Sequence, residues 1–282
     1  MKNILVPVDF TKTSFSAYYY ASQLALATGA KLTLMHVING SFNTTDTMFL
    51  DSLDSAYKAA KARIKYFAKD YGKEIGIEVE KVKIKYEVRF GVPGFSVVDY
   101  LKDVPVDLVV TGTRDKHNII ERFLGTTSSI IARLSSRPVL LIHENTRYLR
   151  PEKVVFAIDS ETDFDESIDE FMSFNENFKA STDFVHVSDG KKEITETKNQ
   201  IIKELFERKE PEFAFQIKKI NAPDYMSGIV DYCLFEKADM LVLVHRKKSL
   251  LAEFFSKSFS LKTALGIHLP VMILNENPHE EE

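Results

Sequence analysis

Asn3-Ile4-Leu5-Val6-Pro7-Val8-Asp9 recurs as Lys153-Val154-Val155-Phe156-Ala157-Ile158-Asp159, displaced by 150 residues. Each is a short apolar run of β-branched character ending on an aspartate, the pattern of a parallel strand buried on both faces. Leu34-Met35-His36-Val37 recurs at the same displacement as Phe184-Val185-His186-Val187. Further along, Asp107 to Pro138 aligns with Asp239 to Pro270 at a constant displacement of 132 and without a gap. A repeat on this scale constrains the architecture before any single element is assigned. Residues 1–143 and 153–274 therefore read as two copies of one unit.

Within the first copy the pattern alternates. Ile4 to Val8 is a strand, Thr11 to Ser14 offers N-cap side chains, and Phe15 to Thr28 has helical composition with Gly29 as its stop. Leu32 to Val37 is the second strand. Residues 44–72 form a long helix closed by Gly72, and Val79 to Val88 is a strand. Gly91-Val92-Pro93-Gly94 reads as a turn before a helix over Phe95 to Lys102. A strand over Leu108 to Thr111, a helix over Thr126 to Ser135 and a strand over Pro138 to His143 complete the copy. The second copy repeats the order, with strands at 153–158, 182–187, 213–220, 240–244 and 270–274. Its helices fall near 161–177, 192–208, 224–236 and 257–265. Such alternation predicts an α/β fold, each copy a five-stranded parallel sheet with helices on both faces and right-handed crossovers. Ligands in such folds sit beyond the carboxyl ends of the strands, where the strand order reverses. The domains are placed at 1–146 and 152–276, joined by the short polar segment Glu144 to Glu152; the acidic tail after Asn275 is expected to fray.

Composition narrows the function classes. Hydrophobic residues make up 44% and charged residues 28%, as expected of a globular protein that is soluble. A net charge of −4, from 37 basic and 41 acidic residues, argues against a surface that coats nucleic acid. The opening residues are too short an apolar run for a secretory leader, and no run of about 18 apolar residues spans a membrane. One cysteine, Cys233, has no partner for an internal disulfide and suits a reducing compartment, so the cytoplasm is the expected location. Neither copy carries a Gly-x-Ser-x-Gly elbow or a Gly-Lys-Ser/Thr phosphate loop. The seven histidines form no close metal-binding spacing, and His36 and His186 occupy equivalent strand positions, which points to structural roles.

The residues with chemical content are Thr111-Gly112-Thr113-Arg114-Asp115 and, after nine more, Gly125-Thr126-Thr127-Ser128. Gly112 ends a strand and Gly125-Thr126 opens a helix. A helix N-terminus presents free N–H groups and the positive end of its dipole, which suits phosphate, and glycine lets the backbone come close. The competing reading makes Gly112 and Gly125 simple turn residues and Thr126 an ordinary cap.

In this order, the opening Ile4 to Asp9, Gly91-Val92-Pro93, Val98-Asp99-Tyr100, Asp107 to Gly112 and Arg137-Pro138-Val139-Leu140-Leu141-Ile142 resemble the universal stress protein family in its tandem two-domain form. The resemblance covers nearly the whole chain. It implies two Rossmann-like domains of the adenine nucleotide alpha hydrolase type, whose last strands, Val139 to Ile142 and Val271 to Leu274, pair into an internal pseudo-dimer. Nucleotide-binding members carry G-x2-G-x9-G-[S/T]. Gly112 fits the first glycine and Gly125-Thr126 the last pair, while Asp115 stands at the middle glycine, flanked by Arg114 and Lys116. A carboxylate there repels phosphate. The resemblance also places Pro7, Asp9 and the Val37 backbone beside an adenosine; at the phosphate end the hydroxyls of Thr126 and Thr127 are expected to add hydrogen bonds. For Asp9 the alternative is a turn or cap acceptor, consistent with Asp159 in the other copy. The implied ligand is ATP, AMP or a related nucleotide, with Mg2+ only alongside it, and the implied role a regulatory module in stress adaptation.

The second copy has lost the motif. Val244 stands at the Gly112 position, Lys247 at Asp115, and Lys257-Ser258 at Gly125-Thr126. An interaction scaffold of the same fold, without a nucleotide site, is the competing function. A protein partner or a further homodimer is compatible with either. No general base or Mg2+-binding pair is evident, so a binding module is expected rather than an enzyme. Gly112→Val is expected to remove nucleotide binding and spare the fold.

Overall fold

Ile4, Leu5 and Val6 are almost wholly buried, as are Val154, Val155 and Phe156 at the equivalent positions, so both apolar runs are central strands. The computed structural model describes residues 1–39, 47–74, 81–113, 126–144, 146–158, 165–188, 199, 201–203, 205–206, 210–222, 225–245 and 269–275. The chain divides into two compact units, one holding the described residues up to Tyr148 and the other those from Leu149 onward.

The first unit runs β1 (Asn3–Pro7), α1 (Lys12–Thr28), β2 (Lys31–Ile38), α2 (Thr47–Glu74), β3 (Ile84–Phe90), α3 (Pro93–Asp103), β4 (Leu108–Thr113), α4 (Thr126–Leu134) and β5 (Val139–His143). Its strands lie in the order β3-β2-β1-β4-β5, all parallel. The chain steps outward from β1 to β2 to β3, then returns past them to β4 and β5. Right-handed crossovers therefore put α1 and α2 on one face and α3 and α4 on the other. Side chains agree: Tyr18 of α1 donates its hydroxyl to the Ala68 carbonyl of α2 at 3.1 Å. On the opposite face, Gly94 of α3 is so close to α4 that an added Cβ would lie 2.7 Å from Ile130.

The second unit holds β6 (Lys153–Ile158), α5 (Asp165–Asn175), β7 (Ser181–Ser188), β8 (Phe215–Asn221), α6 (Tyr225–Glu236), β9 (Met240–His245) and β10 (Val271–Asn275). Its parallel order is β10-β9-β6-β7-β8, the same topology. The repeat displacements reappear in the strand register. Ile4 pairs with Leu108 as Val154 pairs with Met240, and Leu5 with Val109 as Val155 with Leu241. Asp107 Oδ2 accepts the backbone N–H groups of Lys2 and Asn3, and Asp239 Oδ2 those of Glu152 and Lys153. One aspartate thus fastens the entry of each first strand.

Local signals set most boundaries. Thr11 caps α1 through a 3.5 Å bond from the Ser14 N–H, and Gly29 ends it at φ 74°, in the left-handed region that glycine enters at no steric cost. Three expectations need correction. Pro93 and Gly94 belong to the first turn of α3, not to a turn before it, because proline is preorganised for the first helical position. Gly72 does not end α2, which continues to Glu74, since glycine stops a helix only where the chain turns left-handed. Strand β3 begins at Ile84 rather than Val79, with residues 75–80 outside the described set. The expected helix at 257–265 lies outside the described residues, and that at 192–208 is described only in helical residues 199, 201–203 and 205–206.

The Tyr18 contact gives the fold a pH limit. Burial pushes its phenol up from 10.0 to about 12. An unfolded tyrosine ionises near pH 10 while the folded one stays neutral, so its stabilisation is complete below pH 10 and lost as pH rises toward 12. Two pH units correspond to roughly 3 kcal/mol. Denaturant melts should therefore show falling stability between pH 10 and 12, with a shallower fall in Tyr18→Phe; equal slopes would show that Tyr18 is not responsible.

Candidate functional site

Strand β1 stops at Pro7, and the Val8 N–H makes a last bond to the Met35 carbonyl at 2.8 Å. The chain then turns sharply. Phe10 has φ 64°, a costly conformation for a residue with a Cβ. Its ring is held by His36 at 4.5 Å, Phe67 at 5.7 Å and the Arg63 guanidinium at 4.1 Å. His36 donates Nδ1–H to the Val8 carbonyl at 2.7 Å, the structural role expected of it. Asp9 is exposed, and its Oδ1 accepts the Thr11 N–H at 3.1 Å and the Thr11 hydroxyl at 2.5 Å. One carboxylate oxygen therefore closes the turn that leads into α1.

β1 lies between β2 and β4, where the chain reverses its direction of travel across the sheet. The carboxyl ends of β1 and β4 form the crevice in which such folds bind ligands. A cavity of about 100 Å³ lies there. β1 and its turn contribute Pro7, Val8 and Asp9, and β2 contributes Met35, His36 and Val37. Thr13 and Ser14 come from α1, Pro93 and Val97 from α3, Thr111 and Gly112 from β4, and Thr127 and Ser128 from α4. Peptide groups two apart on a strand point the same way. The Met35 carbonyl faces β1, so those of Val37 face the same side, past the end of β1.

Gly112 lines the cavity, but its missing side chain has a second cause. A Cβ there would sit 2.3 Å from the Thr13 carbonyl oxygen and 2.5 Å from its carbon. The first turn of α1 rests directly on β4, and backbone atoms cannot move aside as a side chain does. The expectation that Gly112→Val spares the fold is therefore corrected. Gly112 also lies within β4, which continues to Thr113, rather than at its end. Across the sheet the Ser128 hydroxyl donates to the Gly112 carbonyl at 2.7 Å and lies 3.3 Å from the Thr111 hydroxyl. These bonds fix the start of α4 against β4, leaving Thr127 on the cavity wall.

Of the residues singled out from sequence, Pro7, Asp9, Val37, Gly112 and Thr127 come together around this cavity. Thr126 is the first residue of α4. Arg114, Asp115 and Gly125 lie outside the described residues. Several wall residues were missed. Ser128 and Thr111 lie within the two glycine motifs, and Thr13 and Ser14 have the composition of helix caps. Val97 gave no signal, because a buried helix valine is ordinarily core. Cys233 is buried, as the sequence suggested, and burial pushes its thiol up to about 12. Among the described residues no three His, Cys, Asp or Glu side chains could hold a metal ion, and no helix is long and apolar enough to cross a membrane.

Comparison with known proteins gives consistent results. The sequence model of the universal stress protein family matches residues 1–143. The Bacillus subtilis universal stress protein YxiE is 27% identical over 148 residues, which is 49% of this chain and 97% of that protein. The universal stress protein MJ0577 of Methanocaldococcus jannaschii is 26% identical over 152 residues, covering 50% of this chain and 94% of its own. Among solved structures, a universal stress protein from Archaeoglobus fulgidus is similar over 97% of this chain and 98% of its own, with a TM-score of 0.70 at 14% identity, a likeness of fold.

Proposed function

The chain belongs to the universal stress protein family, and from that premise we propose that its N-terminal unit is a regulatory module that binds an adenine nucleotide. The observation that carries this reading is the cavity at the strand-order switch, where Asp9, the Val37 peptide groups, Gly112 and Thr127 converge. Its 100 Å³ is less than the roughly 300 Å³ that encloses a whole drug-sized ligand, so the cavity would take only part of the nucleotide. The base would lie against Val37, the ribose beside Asp9, and the phosphate toward the first N–H groups of α4. The pattern of donors suits binding rather than hydrolysis, which would need a general base and a metal site. Mg2+ would arrive only with the phosphates.

Thr127→Glu tests the phosphate end. Thr127 is half-buried in the first turn of α4, where a glutamate favours the helix dipole and should leave the fold intact. A carboxylate within a few ångströms of a bound phosphate should weaken ATP and AMP by about tenfold or more and leave adenosine nearly unchanged. Equal affinities for all three in the wild type and variant would remove α4 from the site.

A further inference from the structure

The two units differ at the opposite end of the sheet. In the second unit, Asp183 of β7 is buried with its carboxylate fully engaged. Lys153 pairs with Oδ1 at 2.6 Å, Gln216 donates to Oδ1 at 2.7 Å, and Tyr232 donates to Oδ2 at 2.8 Å. The repeat gives the counterparts in the first unit. Asp183 corresponds to Thr33, Lys153 to Asn3, and Tyr232 to Tyr100. Strand register equates Gln216, opposite Asp183, with Lys85, opposite Thr33.

At that place the first unit has a cavity of about 380 Å³, lined by Asn3, Thr33 and Tyr100 and by three lysines, Lys31, Lys83 and Lys85. No carboxylate lines it. Lys85 hydrogen-bonds the Tyr100 hydroxyl at 3.2 Å and pairs with Glu87 at 3.1 Å. Lys31 and Lys83 have no ion-pair partner among the described residues. Their counterparts in the second unit are Ser181 and Ala214, as matching backbone bonds confirm. Lys31 N–H binds the Lys2 carbonyl as Ser181 N–H binds that of Glu152, and Leu32 N–H binds the Lys83 carbonyl as Thr182 N–H binds that of Ala214. One unit thus holds a buried carboxylate with a single cation; the other lines its cavity with the tyrosine and three lysines, of which Lys85 is paired with Glu87 outside the lining.

We infer that this basal cavity of the N-terminal unit is an oxyanion site, taking a small molecule with one or more carboxylate or phosphate groups where the second unit carries its own Asp183 carboxylate. The Tyr100 hydroxyl and Lys85 ammonium stand where Tyr232 and Gln216 donate to Asp183, and Lys31 and Lys83 supply the balancing charge. The volume lies within the range of small-molecule sites. The site is separate from the switch-point cavity: their linings share no residue.

The test is thermal denaturation of the full chain with citrate or inorganic phosphate, against sodium chloride at matched ionic strength. At ten times the dissociation constant the midpoint should rise by roughly 3–6 °C over chloride. Thr33→Asp supplies the missing carboxylate from within and should abolish that rise. Lys31→Gln with Lys83→Gln changes two exposed side chains, keeps the fold, and should at least halve it. No rise over chloride overturns the inference. So does a rise that survives in both variants, which would place the anion in the switch-point cavity instead. Citrate alone or phosphate alone giving the rise would support the site and identify which oxyanion it prefers.

Discussion

Gly112→Val should lower the stability of the N-terminal unit by about 3 kcal/mol or more, the upper part of the range for overpacking a rigid site. One contact is responsible. An added Cβ lies 2.3 Å from the Thr13 carbonyl oxygen, which belongs to the first turn of α1 and is held there by the cap on Thr11. Relief requires α1 to lift from β4, exposing the buried face that carries Tyr18, Ala21 and Ala25. Even Gly112→Ala should be clearly destabilised, because the clash is made by the first side-chain atom. Chemical denaturation followed by far-UV circular dichroism checks this; an unchanged midpoint in Gly112→Ala would contradict it. Loss of nucleotide binding in Gly112→Val is then no proof of a phosphate contact, which is why Thr127→Glu is the better probe.

Asp183→Ala should cost about 3 kcal/mol, the low end for removing one partner of a buried ion pair. It leaves the Lys153 ammonium without its partner and strands the donors of Gln216 and Tyr232. The low end applies because Lys153 keeps 21% of its side chain exposed and can turn toward water. The repeat supplies its own rescue. Asp183→Thr combined with Lys153→Asn installs the pair found at Thr33 and Asn3, and should recover at least half of the loss seen in Asp183→Thr alone. Strict additivity of the two substitutions would show that the charges are not coupled. Asp183 also reinforces the shift of Tyr232, whose phenol is raised first by burial and then by its bond to this carboxylate.

The repeat made most of the fold legible. Two displacements, 150 and 132, carry strands, their order and their pairing register from one unit to the other, because each central strand is a nearly continuous apolar run. Boundaries failed where one residue type serves two purposes. Gly91 has φ 140° and is a true turn glycine, whereas Gly94, three residues on, is small because α4 presses on it. Sequence cannot distinguish those glycines, and the same ambiguity hid the second role of Gly112. At the candidate cavity, Gly112 and Thr127 stand in the glycine motif and the helix start that the residues themselves mark, whereas Asp9 and Val37 enter only through the family resemblance. Val97 and the basal lysines were not legible, since a buried valine and a charged strand end look the same with or without a ligand.

Titration calorimetry of the full chain with ATP, ADP, AMP and adenosine, with and without Mg2+, asks whether the N-terminal unit binds a nucleotide. Binding is expected at one site per chain, with Thr127→Glu weakening only the phosphate-bearing ligands. No heat and no thermal shift with any of the four would contradict it and leave an interaction scaffold of the same fold.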